Sequence, residues 1–125
     1  MKTLKLSPKL EDLYILNEFI EEILSKEDFP TNLIIEEVFV NIVNYSNCDY
    51  IQINAEYEDS ILHLEFIDNG IEFNPLLAES PDFTDNIDDA KIGGLGIHLT
   101  KETADELSYS YYNNENHLKI TKKVE

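Results

Sequence analysis

Three polar side chains share one stripe of the segment "IIEEVFVNIVNYS", residues 34–46: Glu37, Asn41 and Asn44, spaced i, i+4 and i+7. On a helix, where each residue turns about 100°, that spacing keeps them on one face. An amide oxygen is a hard donor suited to Mg²⁺, and a carboxylate one turn earlier can orient water or accept a hydroxyl proton. A solvated helix face is the competing reading of such a pair. The apolar residues that flank it make a fully solvated face less natural.

Two further places carry special chemistry. Asp68 ends a strongly apolar run and precedes Asn69-Gly70, and the four glycines fall in two places only, Gly70 and the run Gly93, Gly94 and Gly96. Glycine is needed where the backbone takes positive φ or something approaches it closely, so both places are candidates for one pocket. Asp68 is either a turn-forming aspartate or a carboxylate on a pocket floor, accepting a hydrogen bond from an amino group of a flat heterocycle. "GGLG" entering a helix is either a plain turn or a phosphate cradle of backbone N–H groups at a helix N-terminus. It matches neither nucleotide fingerprint, having no lysine-serine pair after the glycines and no strand directly before them.

Other constellations are silent. Asp82, Asp85, Asp88 and Asp89 lie in a loop without the glycine and closing glutamate of an EF-hand, which reads as solvated acid. His63, His98 and His117 lack metal-site spacing and read as structural. There is no convincing Ser/His/Asp or Cys/His arrangement.

Elements must position these residues. Residues 2–6 alternate and read as a short strand. Leu10, Leu13, Tyr14, Ile20, Ile23 and Leu24 follow the helical period over residues 10–26, and a second helix runs from an N-cap at Thr31 to about Ser46. "YIQINAEY" and "ILHLEFI" form a hairpin across Glu58-Asp59-Ser60, and "LSYSYY" and "HLKITKKV" form another across "NNEN". Between the hairpins, residues 71–92 read as a long functional loop, a mobile lid, followed by the glycine run and a third helix. The sum is helices on one face of a largely antiparallel sheet.

Length and composition bound the rest. The 125 residues suit one domain, 1–125, able to bury a single core. The net charge of −17, from 26 acids against nine lysines and no arginine, excludes a basic face for nucleic acid or anionic membrane. No apolar run approaches the roughly 18 residues of a membrane span. The lone Cys48 reads as a packing residue at a helix end in a reducing compartment. A cytoplasmic location is the expectation. Between residues 27 and 118 the only lysines are Lys91 and Lys101, so an anion held there relies on backbone N–H groups, a metal ion and those two.

"EEVFVNIVNYS", "IDNGIEFNP" and "GGLGIHLTKETADELSY" occur in an order and spacing that resembles the GHKL ATP-binding superfamily, over about residues 10–123. Within it the chain most resembles the small anti-sigma factor serine kinases. The resemblance implies an α+β fold, a two-layer α/β sandwich of the histidine-kinase-like ATPase (Bergerat) type with helices on one face of a mixed, largely antiparallel sheet. It implies ATP and Mg²⁺, with Glu37 as catalytic base, Asn41 as Mg²⁺ ligand, and Asp68 at the adenine amino group with Gly70 giving the base close approach. Gly94, Leu95 and Gly96 match the phosphate side, with Asn44 and Lys101 near the phosphates and residues 74–92 as lid. The implied activity is that of an ATP-binding anti-sigma-type regulator, a serine/threonine protein kinase acting on a small antagonist protein or bound to a sigma factor or other transcription regulator, and the resemblance suggests a homodimer. Two alternatives stand beside it: a nucleotide-gated interaction module without phosphotransfer, favoured by the missing arginines, and a detached catalytic domain of a histidine kinase.

Overall fold

The computed structural model describes residues 1–74, 100 and 102–125. Strand β1 (Lys2–Leu6) leads through a single 3₁₀ turn (Leu10–Asp12) into helix α1 (Leu13–Leu24), then helix α2 (Phe29–Tyr45). Two hairpins follow, β2 (Ile51–Glu58) with β3 (Ile61–Asp68) and β4 (Glu106–Tyr112) with β5 (Glu115–Lys123). The five strands form one sheet in the order β1-β2-β3-β5-β4, and every pairing among them is antiparallel.

Both hairpins turn on two residues with positive φ: Asp59 and Ser60 at 52° and 65°, Asn113 and Asn114 at 54° and 61°. That is the primed turn whose twist matches the strands it joins, and Asp and Asn tolerate it. The turns fix the register within each hairpin, and together with the β1–β2 and β3–β5 pairings it places Leu6, Ile51, Asp68 and Asn116 in one row across the sheet, with Ile53, Phe66, Leu118 and Tyr109 in the next. Alternate residues share a face, so both rows look toward the helices.

The helices cover that face. α1 buries Leu16, Ile20 and Leu24, while α2 buries a wide arc that includes Ile34, Ile35, Val38, Phe39 and Ile42. These join Ile51, Ile53, Leu62, Leu64, Phe66 and Ile120 in one core. Each large apolar side chain removed from water there contributes about 1.5–3 kcal/mol before chain entropy is charged against it.

Two local expectations change. The N-cap of α2 is Asp28, not Thr31: the Asp28 carboxylate accepts from the Thr31 N–H at 3.1 Å and from its hydroxyl at 2.6 Å. Pro30 sits in the first turn, where its missing N–H is no loss. Leu10 and Tyr14 are exposed, at 56% and 79%, and Leu16 is buried instead. The 3₁₀ turn shifts the phase ahead of α1, and Tyr14 lies about 100° round from the buried stripe that Leu13 begins. Cys48 is half-buried against the core after α2, as expected. No helix among the described residues is long and apolar enough to cross a membrane.

Gly93, Gly94, Leu95, Gly96 and Lys101, together with His98 and residues 75–92 of the expected lid, lie outside the described residues.

Candidate functional site

Where α2 passes over the ends of β3, β4 and β5, a narrow pocket with room for about 20 Å³ remains between the layers. Val38, Asn41, Ile42 and Ser46 line it from α2 and its C-cap, Phe66 and Asp68 from β3, Tyr109 from β4, Asn116 and Leu118 from β5, with Phe73 beside them. The walls are mainly apolar and the polar groups few, the usual composition of a small-molecule site. Phe73 also stacks on Tyr45, ring centroids 6.5 Å apart.

Asp68 is 3% exposed. Its Oδ1 accepts three hydrogen bonds: from the Ser46 hydroxyl, from the Gly70 N–H at 2.9 Å and from Asn116 Nδ2 at 3.0 Å. Buried carboxylates need such partners. No described residue donates to Oδ2, which is left as the oxygen available to a ligand.

Gly70 is there because α2 comes so close. Its φ is not positive; a Cβ added to it would run into the Ser46 side chain and carbonyl, with the carbonyl carbon at 2.7 Å. The Ile71 N–H donates to that Ser46 carbonyl at 2.9 Å, so strand exit and helix end are joined on both sides of the glycine. Asn69 makes a further clasp: its Oδ1 accepts from the Asp49 N–H at 2.8 Å and its Nδ2 donates to the Asp49 carboxylate at 3.1 Å.

Sequence reasoning missed Ser46, Phe73, Tyr109 and Asn116. Asn116 is buried and fully engaged: Nδ2 donates to Asp68 and, at 2.8 Å, to the Ile71 carbonyl, while Oδ1 accepts from the Phe73 N–H at 3.1 Å and from the Tyr109 hydroxyl. The only signal for it is the register that sets it opposite Asp68.

The polar stripe of α2 is arranged differently. Asn41 is 5% exposed and lines the pocket, yet no described residue hydrogen-bonds its side chain. Glu37, one turn earlier, is half-buried; burial, reinforced by Glu36, raises its pKa above the ordinary glutamate value. Asn44 is exposed and does not line the pocket. Thus Asn41 and Asp68 meet in one cavity with Gly70 bonded to Asp68 behind it, while neither Glu37, one turn before Asn41, nor Asn44 lines it.

Neighbouring titratable groups are kept neutral. Burial pushes the Tyr109 hydroxyl up, with Glu72 and Asp68 adding to the effect. Burial raises the Cys48 thiol, with Asp68 contributing. Tyr50, donating to Glu115, is pushed up to about 12. On the far face His117 is buried, its Nδ1 3.2 Å from Glu65 and its ring stacked on Tyr112 at 4.0 Å, which agrees with a structural histidine. His63 lies on that face too, in the alternate register.

The chain that forms this cavity has relatives among known proteins. Over 97 residues the chain is 30% identical to the serine/threonine-protein kinase BtrW of Bordetella bronchiseptica, a match covering 74% of this chain and 68% of that one. In three dimensions it resembles the histidine kinase AdeS of Acinetobacter baumannii, with a TM-score of 0.56 at 11% identity, over 99% of this chain and 68% of that chain. It also resembles the catalytic domain of histidine kinase ThkA, with a TM-score of 0.55 at 15% identity, over 98% and 96%. The two structures speak for the shared α+β fold. With residues 6–122 matching the histidine kinase-like ATPase domain, the chain belongs to that family.

Proposed function

We propose that this pocket binds Mg²⁺-ATP and that the chain is a regulatory serine/threonine protein kinase acting on a small antagonist protein. The observation that carries the reading is the Asn41 side chain: a buried amide lining a cavity, unpartnered among the described residues. Its polar atoms are not sealed off, since the buried unpartnered side-chain atoms among the described residues are those of Asn17 and His117, so the amide is open to a cation or a phosphate-bound water at the pocket wall. The residues fit the ligand at the other end as well. Asp68 has one saturated oxygen and one with no donor among the described residues, and Val38, Ile42, Phe66 and Leu118 offer apolar walls to a flat base.

In this reading Asn41 holds Mg²⁺, which when bound neutralises charge on the phosphates. Asp68 Oδ2 would accept from the adenine amino group, and Glu37 would take the proton from the partner's serine hydroxyl as that oxygen attacks the γ-phosphorus, the bond to the β-γ bridging oxygen breaks and ADP leaves. A raised pKa suits Glu37 to that role, because a base nearer neutrality holds the proton better in transit. Gly94, Leu95, Gly96 and Lys101 are assigned to the phosphates by the family's motif, whereas Asn44, exposed and off the pocket, has no support for that role. A homodimer in the cytoplasm belongs to the same proposal.

Composition favours one competing reading. Phosphoryl transfer relies on cationic stabilisation, commonly by arginine, and the chain has none. A module that binds ATP and then selects a partner without transferring phosphate has no such need.

The test is γ-labelled ATP with soluble extract of the source organism, using wild type and Glu37→Gln. Acid-stable label on a protein serine that requires Glu37 supports the kinase; acid-labile label indicates a histidine acceptor. ATP binding with no Glu37-dependent label leaves the gated module.

A further inference from the structure

Asp68 is a useful acceptor only if its carboxylate is held in one orientation, and three elements hold it: α2 through Ser46, the strand exit through Gly70 N–H, and β5 through Asn116. Two of these are not selective. A hydroxyl donates or accepts with equal ease, and Gly70 N–H follows wherever the chain goes. The Asn116 amide differs, because its orientation is decided by four bonds at once. Reversing it would set its oxygen against Asp68 and the Ile71 carbonyl, and its NH₂ against the Phe73 N–H. Only one setting satisfies all partners, and it presents a donor to Asp68.

We infer that Asn116 is the positioning residue of the base-binding end: it fixes Asp68 Oδ1 as an acceptor, leaves Oδ2 to the ligand, and sets the Phe73 wall through the backbone of residues 71–73. The inference rests on the nucleotide-binding reading and extends it to a residue on a different strand. The Asp68 anchor and the aromatic wall are not independent. One side chain on β5 bonds to Asp68, to Ile71 and to Phe73, so displacing it loosens both walls together. Tyr109, donating to Asn116 Oδ1 from β4, seats the amide from the other side and itself lines the pocket.

The experiment substitutes a group whose donor can be switched. In Asn116→Asp two carboxyls face each other, and such pairs share a proton in acid and repel when both ionise. The protonated form donates to Asp68 much as the amide does; the ionised form cannot. Of the titratable groups around Asp68, Cys48, Tyr50 and Tyr109 are held up and stay neutral between pH 5.5 and 8, while Asp49, Glu72, Glu115 and His117 are neighbours common to all variants.

Mg²⁺-ATP is titrated into full-length wild type, Asn116→Asp and Asn116→Ala across that range. The ratio of variant to wild-type Kd at each pH cancels the protonation of the nucleotide itself. Thermal unfolding confirms that each variant is folded. The expected result is that Asn116→Ala binds about 10- to 100-fold more weakly at every pH, the loss of a hydrogen bond to a charged group. Asn116→Asp binds within a few-fold of wild type at pH 5.5 and falls to or below the alanine variant by pH 8. A merely structural role predicts a pH-independent loss for both variants. That outcome, or wild-type affinity in Asn116→Ala, overturns the inference while the nucleotide reading stands. No binding by folded wild type overturns the nucleotide reading, and the inference falls with it.

Discussion

The two ends of the pocket are built on opposite plans. At the strand end, Asp68, Ser46, Gly70 and Asn116 bond to one another from three elements, and among the described residues Asp68 Oδ2 is left without a donor. On α2, Asn41 is as deeply buried as Asn116, at 5% exposure each, yet has no hydrogen bond among the described residues. The contrast separates two kinds of site. A saturated network is preorganised and contributes to stability as it stands. A pocket-lining amide with no partner among the described residues adds little to stability as it stands, so disrupting the network, as at Gly70, should cost stability, whereas replacing Asn41 should cost function alone.

That comparison can be broken or sharpened by mutation. The largest effect is expected beside the unsaturated end: Glu37→Gln should slow phosphotransfer by about 10²–10⁴-fold, the usual contribution of a general base, with Mg²⁺-ATP affinity little changed in calorimetry. The wild-type rate should fall in acid from a higher pH than for an ordinary glutamate, because the ionised form is the base and its pKa is raised. The stability sign is opposite. The ionised form is the disfavoured one in the fold, so the penalty is present above the raised pKa and is relieved as pH falls through it. Glu37→Gln should therefore unfold at a higher temperature than wild type at neutral pH, and the gain should vanish in acid.

Next comes the saturated end. Gly70→Ala forces a Cβ into the Ser46 backbone and should destabilise by about 3 kcal/mol, read as a fall of roughly 10 °C in Tm. Asp68→Asn can keep its oxygen toward the three donors, which turns an NH₂ toward the ligand where an acceptor is needed. ATP affinity should drop by about 2–3 kcal/mol while stability changes by about 1 kcal/mol or less. The smallest effect is the most discriminating. Asn41→Leu removes an unpaired amide, so Tm should hold or rise, by up to about 1 kcal/mol in stability, while Mg²⁺-dependent ATP binding weakens. A clear loss of stability in Asn41→Leu would mean the amide is already satisfied, and the contrast between the two ends would collapse.

How much of this was legible in the sequence follows the same division. Glu37 and Asn41 could be read because helical periodicity is local: four residues of spacing suffice to place both on one face. Asp68 and Gly70 could be read as special because an acid and a glycine closing an apolar strand are unusual types there. Asn116 and Ser46 could not. Each is an ordinary residue in its own segment, and its role exists only through the β3–β5 register and the packing of α2, contacts 48 and 22 residues away in sequence. The hairpins were legible through their turn residues, and with them the antiparallel sheet. The order that inserts β5 between β3 and β4 was not, because it depends on a crossover. The Asp28 cap was mistaken for Thr31 because both residue types cap helices, and the choice is made by which side chain reaches the free N–H.

The central claim is that Asp68 and Asn41 face a common Mg²⁺-ATP ligand. It is tested most directly by calorimetric titration of Mg²⁺-ATP into wild type, Asp68→Asn and Asn41→Leu, with Tm recorded for all three. The account predicts saturable binding by wild type and binding weakened by at least about tenfold in both variants, with Tm preserved or raised in Asn41→Leu. Absence of wild-type binding at low-millimolar nucleotide, or unchanged affinity in Asp68→Asn, would contradict it.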